Sequence, residues 1–194
     1  MALDADLERI AAAARRHAEP GEELAGVIAA EPEPGRRVFL CAFEGEARTW
    51  LALDEDERPV EDRALVRAAV SIAALCELAE ESVASGGLGE LRAELERLRP
   101  TERSAEATPG SSLPTTTGIA EAQEAALELA RTLQPAPRLA SPAYLDAIGA
   151  AARRLERALG DAALSPFAEA MKASSGVVEE LALDVLGCYK LALS

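Results

Sequence analysis

The sequence predicts a mainly α-helical protein with one antiparallel β-hairpin in its N-terminal half. Apolar residues recur at steps of three and four through most of the chain, which is the spacing of amphipathic helices. Proline, glycine and capping residues lie at the ends of these segments, whereas the stretch 38–53 has the composition of two strands. We therefore expect an α-α-β-β-α-α unit over 1–100, a flexible Pro/Ser/Thr linker or loop over 101–118, and a C-terminal helical bundle over 119–194 that either packs on the first unit or forms its own domain.

Two helices are expected to open the chain. From Leu3 to Ala14 the apolar residues alternate steps of four and three, which predicts a helix over about residues 4–18. Pro20 then occupies a typical first helical position and is followed by two glutamates in the first turn. A second helix is therefore expected to end near Ala30, where a segment containing Pro and Gly begins.

The hairpin is expected to consist of strands over 38–43 and 47–53 around a turn at Gly45. Every residue of the first strand is apolar, so both of its faces should be covered. Helices of the chain are expected on one face, and either another helix or a second copy of the chain on the other. The residues expected at such an interface are Phe39, Cys41, Phe43, Trp50 and Leu51.

The longest helix is expected over about 62–84, after an acidic turn at 54–59. Its apolar middle contains three polar residues, Arg67, Ser71 and Glu77, which share one stripe about 120° wide at 100° per residue. Water is expected to be excluded from nearly the whole girth of this helix, either at the centre of the fold or in an oligomer interface. A membrane span is disfavoured, because the apolar stretch is shorter than the ~20 residues required and contains both charges.

The remaining helices are predicted from their boundaries. Ser141 is expected to cap the N-terminus of a helix that has Pro142 at its first position and Gly160 just past its end. The small residues from Ser174 to Gly176 predict a break or kink in the last helical run. Helices are thus expected over about 88–98, 119–133, 142–160 and 165–193.

Composition limits the choice of partner and location. The formal charge is -14, with no run of Lys or Arg, so neither nucleic acid nor an anionic membrane is an expected partner. The three cysteines, Cys41, Cys76 and Cys188, each lie in an apolar run, and the first residues do not have the pattern of a secretion signal. We therefore expect a reducing, cytoplasmic location and buried thiols.

No motif points to catalysis, a metal or a cofactor. The acidic turn resembles the start of a calcium loop, but Pro59 stands where that loop needs Gly and Leu65 where it needs Glu. The single histidine, His17, cannot form the Glu-x-x-His pairs of a di-metal helix bundle. The glycines at 86–89 follow a helix rather than a strand and lack the lysine of a phosphate-binding loop.

Two functions remain. The favoured hypothesis is a non-enzymatic interaction, assembly or regulatory protein that acts through amphipathic helices on a protein partner, in the first instance a second copy of itself. The alternative is a small-ligand-binding protein or enzyme with an apolar pocket around Arg67, Ser71, Glu77 and Trp50. For Arg67 itself, an ion pair inside the protein is favoured over a bound carboxylate ligand. Convergence of these side chains on a cavity would support the pocket, and an exposed apolar patch would support the interaction protein.

Overall fold

A computed structural model describes residues 2–45, 49–98, 116–133, 139–162 and 164–192. The predicted linker over 101–118 lies outside the described residues as far as position 115, and its remaining residues begin a helix. The described helices are α1 (Ala2–Arg15), α2 (Arg63–Ser85), α3 (Leu88–Arg97), α4 (Thr116–Thr132), α5 (Pro142–Asp161) and α6 (Ser165–Ala192). The described strands are β1 (Glu23–Glu33), β2 (Arg36–Glu44), β3 (Thr49–Leu53) and β4 (Leu139–Ala140).

The strands form one mixed sheet, which differs from the expected single hairpin. Their order is β3-β2-β1-β4. The pairs β1/β2 and β2/β3 are antiparallel, whereas β4 pairs with β1 in parallel. The prediction of a mainly helical chain is confirmed, but the prediction of only two strands is wrong, because β1 and β4 extend the sheet beyond β2.

The second predicted helix is the main error, because its residues form β1. Gly35 has φ 76° and closes the turn that folds β1 back onto β2. The register shifts between Leu24 and Gly26, so that β1 has one residue more than β2 at this point. Leu24 and Val27 consequently pack against the same core although they are three residues apart. A bulged strand thus reproduces a helical spacing, and pairing with β2 outweighs the local signals for helix.

Helix α1 covers one face of the sheet and closes the core there. Its buried residues are Ile10, Ala13 and Ala14. Alternation along β2 directs Phe39, Cys41 and Phe43 to this face, where they are fully or almost fully buried. Leu3 and Leu7 of the helix also pack against this cluster, so the layer combines aliphatic side chains of α1 with the aromatic rings of β2.

The described chain divides into two compact units, and neither is continuous in sequence. Unit 1 combines Met1–Leu78, Pro135–Leu145 and Leu181–Ser194, and therefore contains α1, the whole sheet and most of α2. Unit 2 combines Ala79–Gln134 with Asp146–Glu180, and it is entirely helical in its described part. The sequential domains predicted over 1–100 and 119–194 stay a prediction.

Unit 2 is held together by close contacts between small residues. A Cβ atom placed on Gly86 would lie 2.5 Å from Ser174 Oγ and 2.8 Å from Met171 Cε. Ser174 Oγ lies 3.1 Å from the carbonyl oxygens of both Ser82 and Ala170. The helix α6 is continuous from Ser165 to Ala192, so the small residues do not break it.

The predicted start of α5 is confirmed. Ser141 Oγ accepts a hydrogen bond from the backbone N–H of Tyr144 at 3.1 Å, and Pro142 is the first helical residue. This cap satisfies one of the backbone donors that a helix N-terminus leaves without a partner.

Candidate functional site

The strongest candidate surface lies on α2, whose start is fixed by a carboxylate cap. Asp62 Oδ1 accepts hydrogen bonds from the backbone N–H groups of Ala64 at 3.0 Å and Leu65 at 3.1 Å. Its other oxygen lies 3.6 Å from Arg36 Nη2. The bond from Leu65, then that from Ala64 and the charge of Arg36, lower the pKa of Asp62. The cap and the ion pair together stabilise the start of α2.

One side of α2 is buried. Ala68, Ala69, Ile72 and Cys76 are buried. Cys76 Sγ lies 3.8 Å from the carbonyl oxygen of Ser141, next to the end of β4. The inner side of the helix is therefore identified by both burial and contact.

The outer side carries an apolar stripe. We call Arg67, Val70, Ala74, Glu77 and Leu78 the α2 seam, because all five are exposed and follow steps of three, four, three and one. The side chains of Val70 and Leu78 are 48% and 50% exposed. The chain itself therefore leaves this side of α2 uncovered, so exclusion of water from nearly the whole girth would require the oligomer interface, which stays a prediction.

Two opposite charges flank the apolar centre of the α2 seam. Among the described residues, neither Arg67 nor Glu77 forms an ion pair or a hydrogen bond through its side chain. The internal ion pair favoured for Arg67 is thus not formed in the described chain. Ser71, the third polar residue predicted on this stripe, is half-buried at its edge.

The predicted interface residues of the sheet lie in different environments. Phe39, Cys41 and Phe43 are inside unit 1, and Leu51 packs partly buried against the same cluster. Trp50 pairs with Ala42 of β2, on the sheet face opposite to Phe39, Cys41 and Phe43, and it is 54% exposed. Burial raises the pKa of the Cys41 thiol to about 11, so the thiolate required of a nucleophile is disfavoured.

An open cleft of about 530 Å³ lies elsewhere in unit 1, and its walls are mostly charged. Arg36 forms a 2.9 Å ion pair with Glu33, and Arg37 forms a 3.4 Å ion pair with Glu55. These arginines are therefore engaged by the protein's own carboxylates. The lining residues are Gly35, Arg36, Arg37, Asp54, Glu55, Asp56, Arg58, Pro59, Val60, Glu61, Asp62 and Leu65, which include none of the predicted ligand-binding residues.

The acidic turn has a structural role that the sequence did not indicate. Asp54 Oδ1 accepts hydrogen bonds from the N–H groups of Asp56 at 2.9 Å and Arg58 at 2.8 Å. Glu57 lies at φ 64° in this turn. Its carboxylate forms ion pairs with Arg16, directly after α1, at 2.6 Å and with Arg9 at 3.2 Å. These two bonds, that from Arg16 first, lower the pKa of Glu57. Within the described ranges, no group of three His, Cys, Asp or Glu side chains is placed to hold a metal ion.

Comparisons with known proteins give no relative. No protein-family model, no curated protein and no solved structure matches the chain. Among the described helices, none is both long and apolar enough to cross a lipid bilayer. The function must therefore be inferred from the chemistry of the surface itself.

Proposed function

We propose that this chain is a non-enzymatic interaction or assembly protein that binds a protein partner through the α2 seam, and that the partner is a second copy of the chain. The observation that carries the proposal is the half exposure of Val70 and Leu78 on a helix whose opposite side is buried. Neighbouring apolar side chains at helical spacing favour burial against another helix, because water is then removed from both surfaces.

The distribution of exposed apolar side chains supports unit 1 as the binding region. Five of the seven large hydrophobic residues that the described chain exposes belong to unit 1. The net charge of -14 opposes binding to polyanions, which leaves protein as the favoured class of partner. The five residues are Ile28, Trp50, Val70, Leu78 and Leu183.

A small-ligand pocket has less support. Arg67 and Glu77 are exposed on the outer side of α2, and the charged cleft of unit 1 is lined by other residues. Exposed charges on a convex helix surface are screened by water and hold a small ligand weakly. The cytoplasmic location predicted from the sequence is part of the proposal, and Cys41 and Cys76, which are buried and not joined in a disulfide, are compatible with it.

The proposal is tested by the mass of the whole protein in solution. Multi-angle light scattering at tens of micromolar should give a dimer for the wild-type chain. The double variant Val70→Glu/Leu78→Glu should give a monomer, because it places carboxylates where apolar atoms meet. Leu127→Glu is the matched control, since Leu127 is 40% exposed on α4 in unit 2. This control should remain a dimer.

The same measurement can contradict the proposal in two ways. A wild-type monomer at the highest soluble concentration would remove the second copy as partner. A dimer that survives Val70→Glu/Leu78→Glu, with circular dichroism showing a folded chain, would place the interface away from the α2 seam.

A further inference from the structure

We infer that two copies pair their α2 helices antiparallel about a twofold axis, so that Arg67 of each copy lies against Glu77 of the other. This inference rests on the proposed function, because it specifies the orientation of the same interface. It follows from the order of residues along the α2 seam together with the charges at its two ends.

Four of the five residues of the α2 seam, all except Leu78, have a self-complementary order. Arg67, Val70, Ala74 and Glu77 are exposed on one helix face, at steps of three, four and three. With a rise of about 1.5 Å per residue, the two charges are ~15 Å apart along the axis and the two apolar residues are ~6 Å apart. The midpoint of both pairs is the level of residue 72. A twofold rotation at this level therefore brings each of the four residues opposite its complement.

The layers of this helix pair match in chemistry. Val70 of one copy packs on Ala74 of the other, and the same contact occurs again across the axis. A layer that joins Arg67 and Glu77 follows at each end. The contacts along each helix repeat at steps of three and four residues, as in a short coiled coil. Ala74 and the half-buried Ser71 are small, which allows the helix axes to approach to the usual 8–10 Å.

The opposite orientation is disfavoured by the same charges. In a parallel pair Arg67 would face Arg67 of the second copy, and Glu77 would face its own equivalent. Like charges that face each other across the interface repel, whereas the antiparallel pair gives two attractive contacts. Neither side chain is engaged by another residue of the described chain, so both are available for these contacts.

The negative charge of the two copies and the small size of the interface both limit the expected affinity between them. Each copy carries -14, so two copies repel at long range, and the seam must offset this repulsion locally. One pair of helix faces is also a small interface by the standard of stable complexes. We therefore expect a dissociation constant on the order of micromolar rather than nanomolar.

Charge reversal distinguishes the two orientations. Sedimentation equilibrium of the full-length protein would be measured for wild type, R67E, E77R and R67E/E77R at 0.15 M salt. Each single variant should raise the dissociation constant at least about tenfold, since two attractive layers become repulsive. The double variant should restore the wild-type value within about threefold. R92E, at an exposed position of α3 in unit 2, is the control for reversing an arginine away from the seam.

Each outcome has a separate meaning. Weakening by both single variants with recovery in R67E/E77R supports the antiparallel pair. A wild-type dimer with unchanged single variants, or without recovery in the double variant, overturns the orientation but leaves the proposed function standing. A wild-type monomer overturns both. Thermal unfolding followed by circular dichroism, with equal midpoints at dilutions where wild type is monomeric, shows that no single variant acts by unfolding.

Discussion

Unit 1 and unit 2 bury their apolar side chains through different kinds of packing. Unit 1 packs a helix on a sheet, and its core combines Ile10 of α1 with Phe39, Phe43 and Leu53 of the strands. Unit 2 packs helices on helices, and its tightest described contact is the one at Gly86. Unit 1 also leaves more large apolar side chains exposed, as described for the α2 seam. Helices of unit 2 thus approach closely at Gly86, whereas unit 1 exposes more of the large apolar side chains of the described chain.

The largest expected effect is the loss of a core ring from unit 1. Phe39→Ala should lower the free energy of unfolding by about 3–5 kcal/mol, because Phe39 is fully buried between β2 and α1 and a cavity would remain. Trp50→Ala is the matched control in the same sheet, and it should cost much less because half of its side chain already contacts water. Urea unfolding followed by circular dichroism measures both. Equal losses would show that the two faces of the sheet are not as different as described.

An intermediate effect is expected from adding a methyl group at the close contact of Gly86 in unit 2. Gly86→Ala should lower the free energy of unfolding by about 1–3 kcal/mol, because the added methyl group overlaps Ser174 Oγ and Met171 Cε. Gly89→Ala adds the same methyl group in α3 where no atom lies within 4 Å, and it should be neutral or stabilising. Gly86→Ala/Ser174→Ala should recover part of the loss. If Gly86→Ala is as stable as wild type, the close approach assigned to unit 2 is wrong.

The smallest effect concerns pH and unit 1. The pKa of Glu57 is lowered by its bonds to Arg16 and Arg9, so its ionised form stabilises the folded state. This contribution is complete above the unfolded pKa of about 4.3 and is lost as the pH falls through the lowered folded value. Urea midpoints of wild type and Glu57→Gln should therefore differ at pH 6 and converge near pH 2.

A control separates Glu57 from the other carboxylates of this acidic chain. Glu180→Gln removes an exposed carboxylate of α6 in unit 2 and reports the general effect of lowering the negative charge. A gap between wild type and Glu57→Gln that stays constant from pH 6 to pH 2 would show that the two arginines do not act through the charge of Glu57.

Part of this architecture could be predicted from local signals. The N-termini of α2 and α5 depend on caps at Asp62 and Ser141. Each cap lies within three residues of the groups it binds, so both can be recognised from the sequence. The strand β1 was not predictable in this way, because a bulge after Leu24 gives it a helical spacing. The strand β4 contains only two residues, and its pairing partner is about a hundred positions away.

Only two of the five α2 seam residues were singled out from the sequence, and the seam itself was not predicted. Arg67 and Glu77 stand out in the sequence as charges within an apolar helix, and both are exposed on the α2 seam. Whether such a helix face is covered by the same chain depends on tertiary packing, which spacing alone does not encode. Trp50 was grouped with them because aromatic side chains often line pockets, yet its strand gives it a different neighbourhood.

The parallel pairing of β4 with β1 has a consequence for how the protein is made. Ala29 and Ala30 of β1 align with Leu139 and Ala140, so the sheet receives its last strand only after most of the polypeptide has left the ribosome. Until then the outer edge of β1 presents open backbone donors and acceptors near the tunnel exit. The edge of β1 is therefore closed late in synthesis, and only over the two residues that pair with β4.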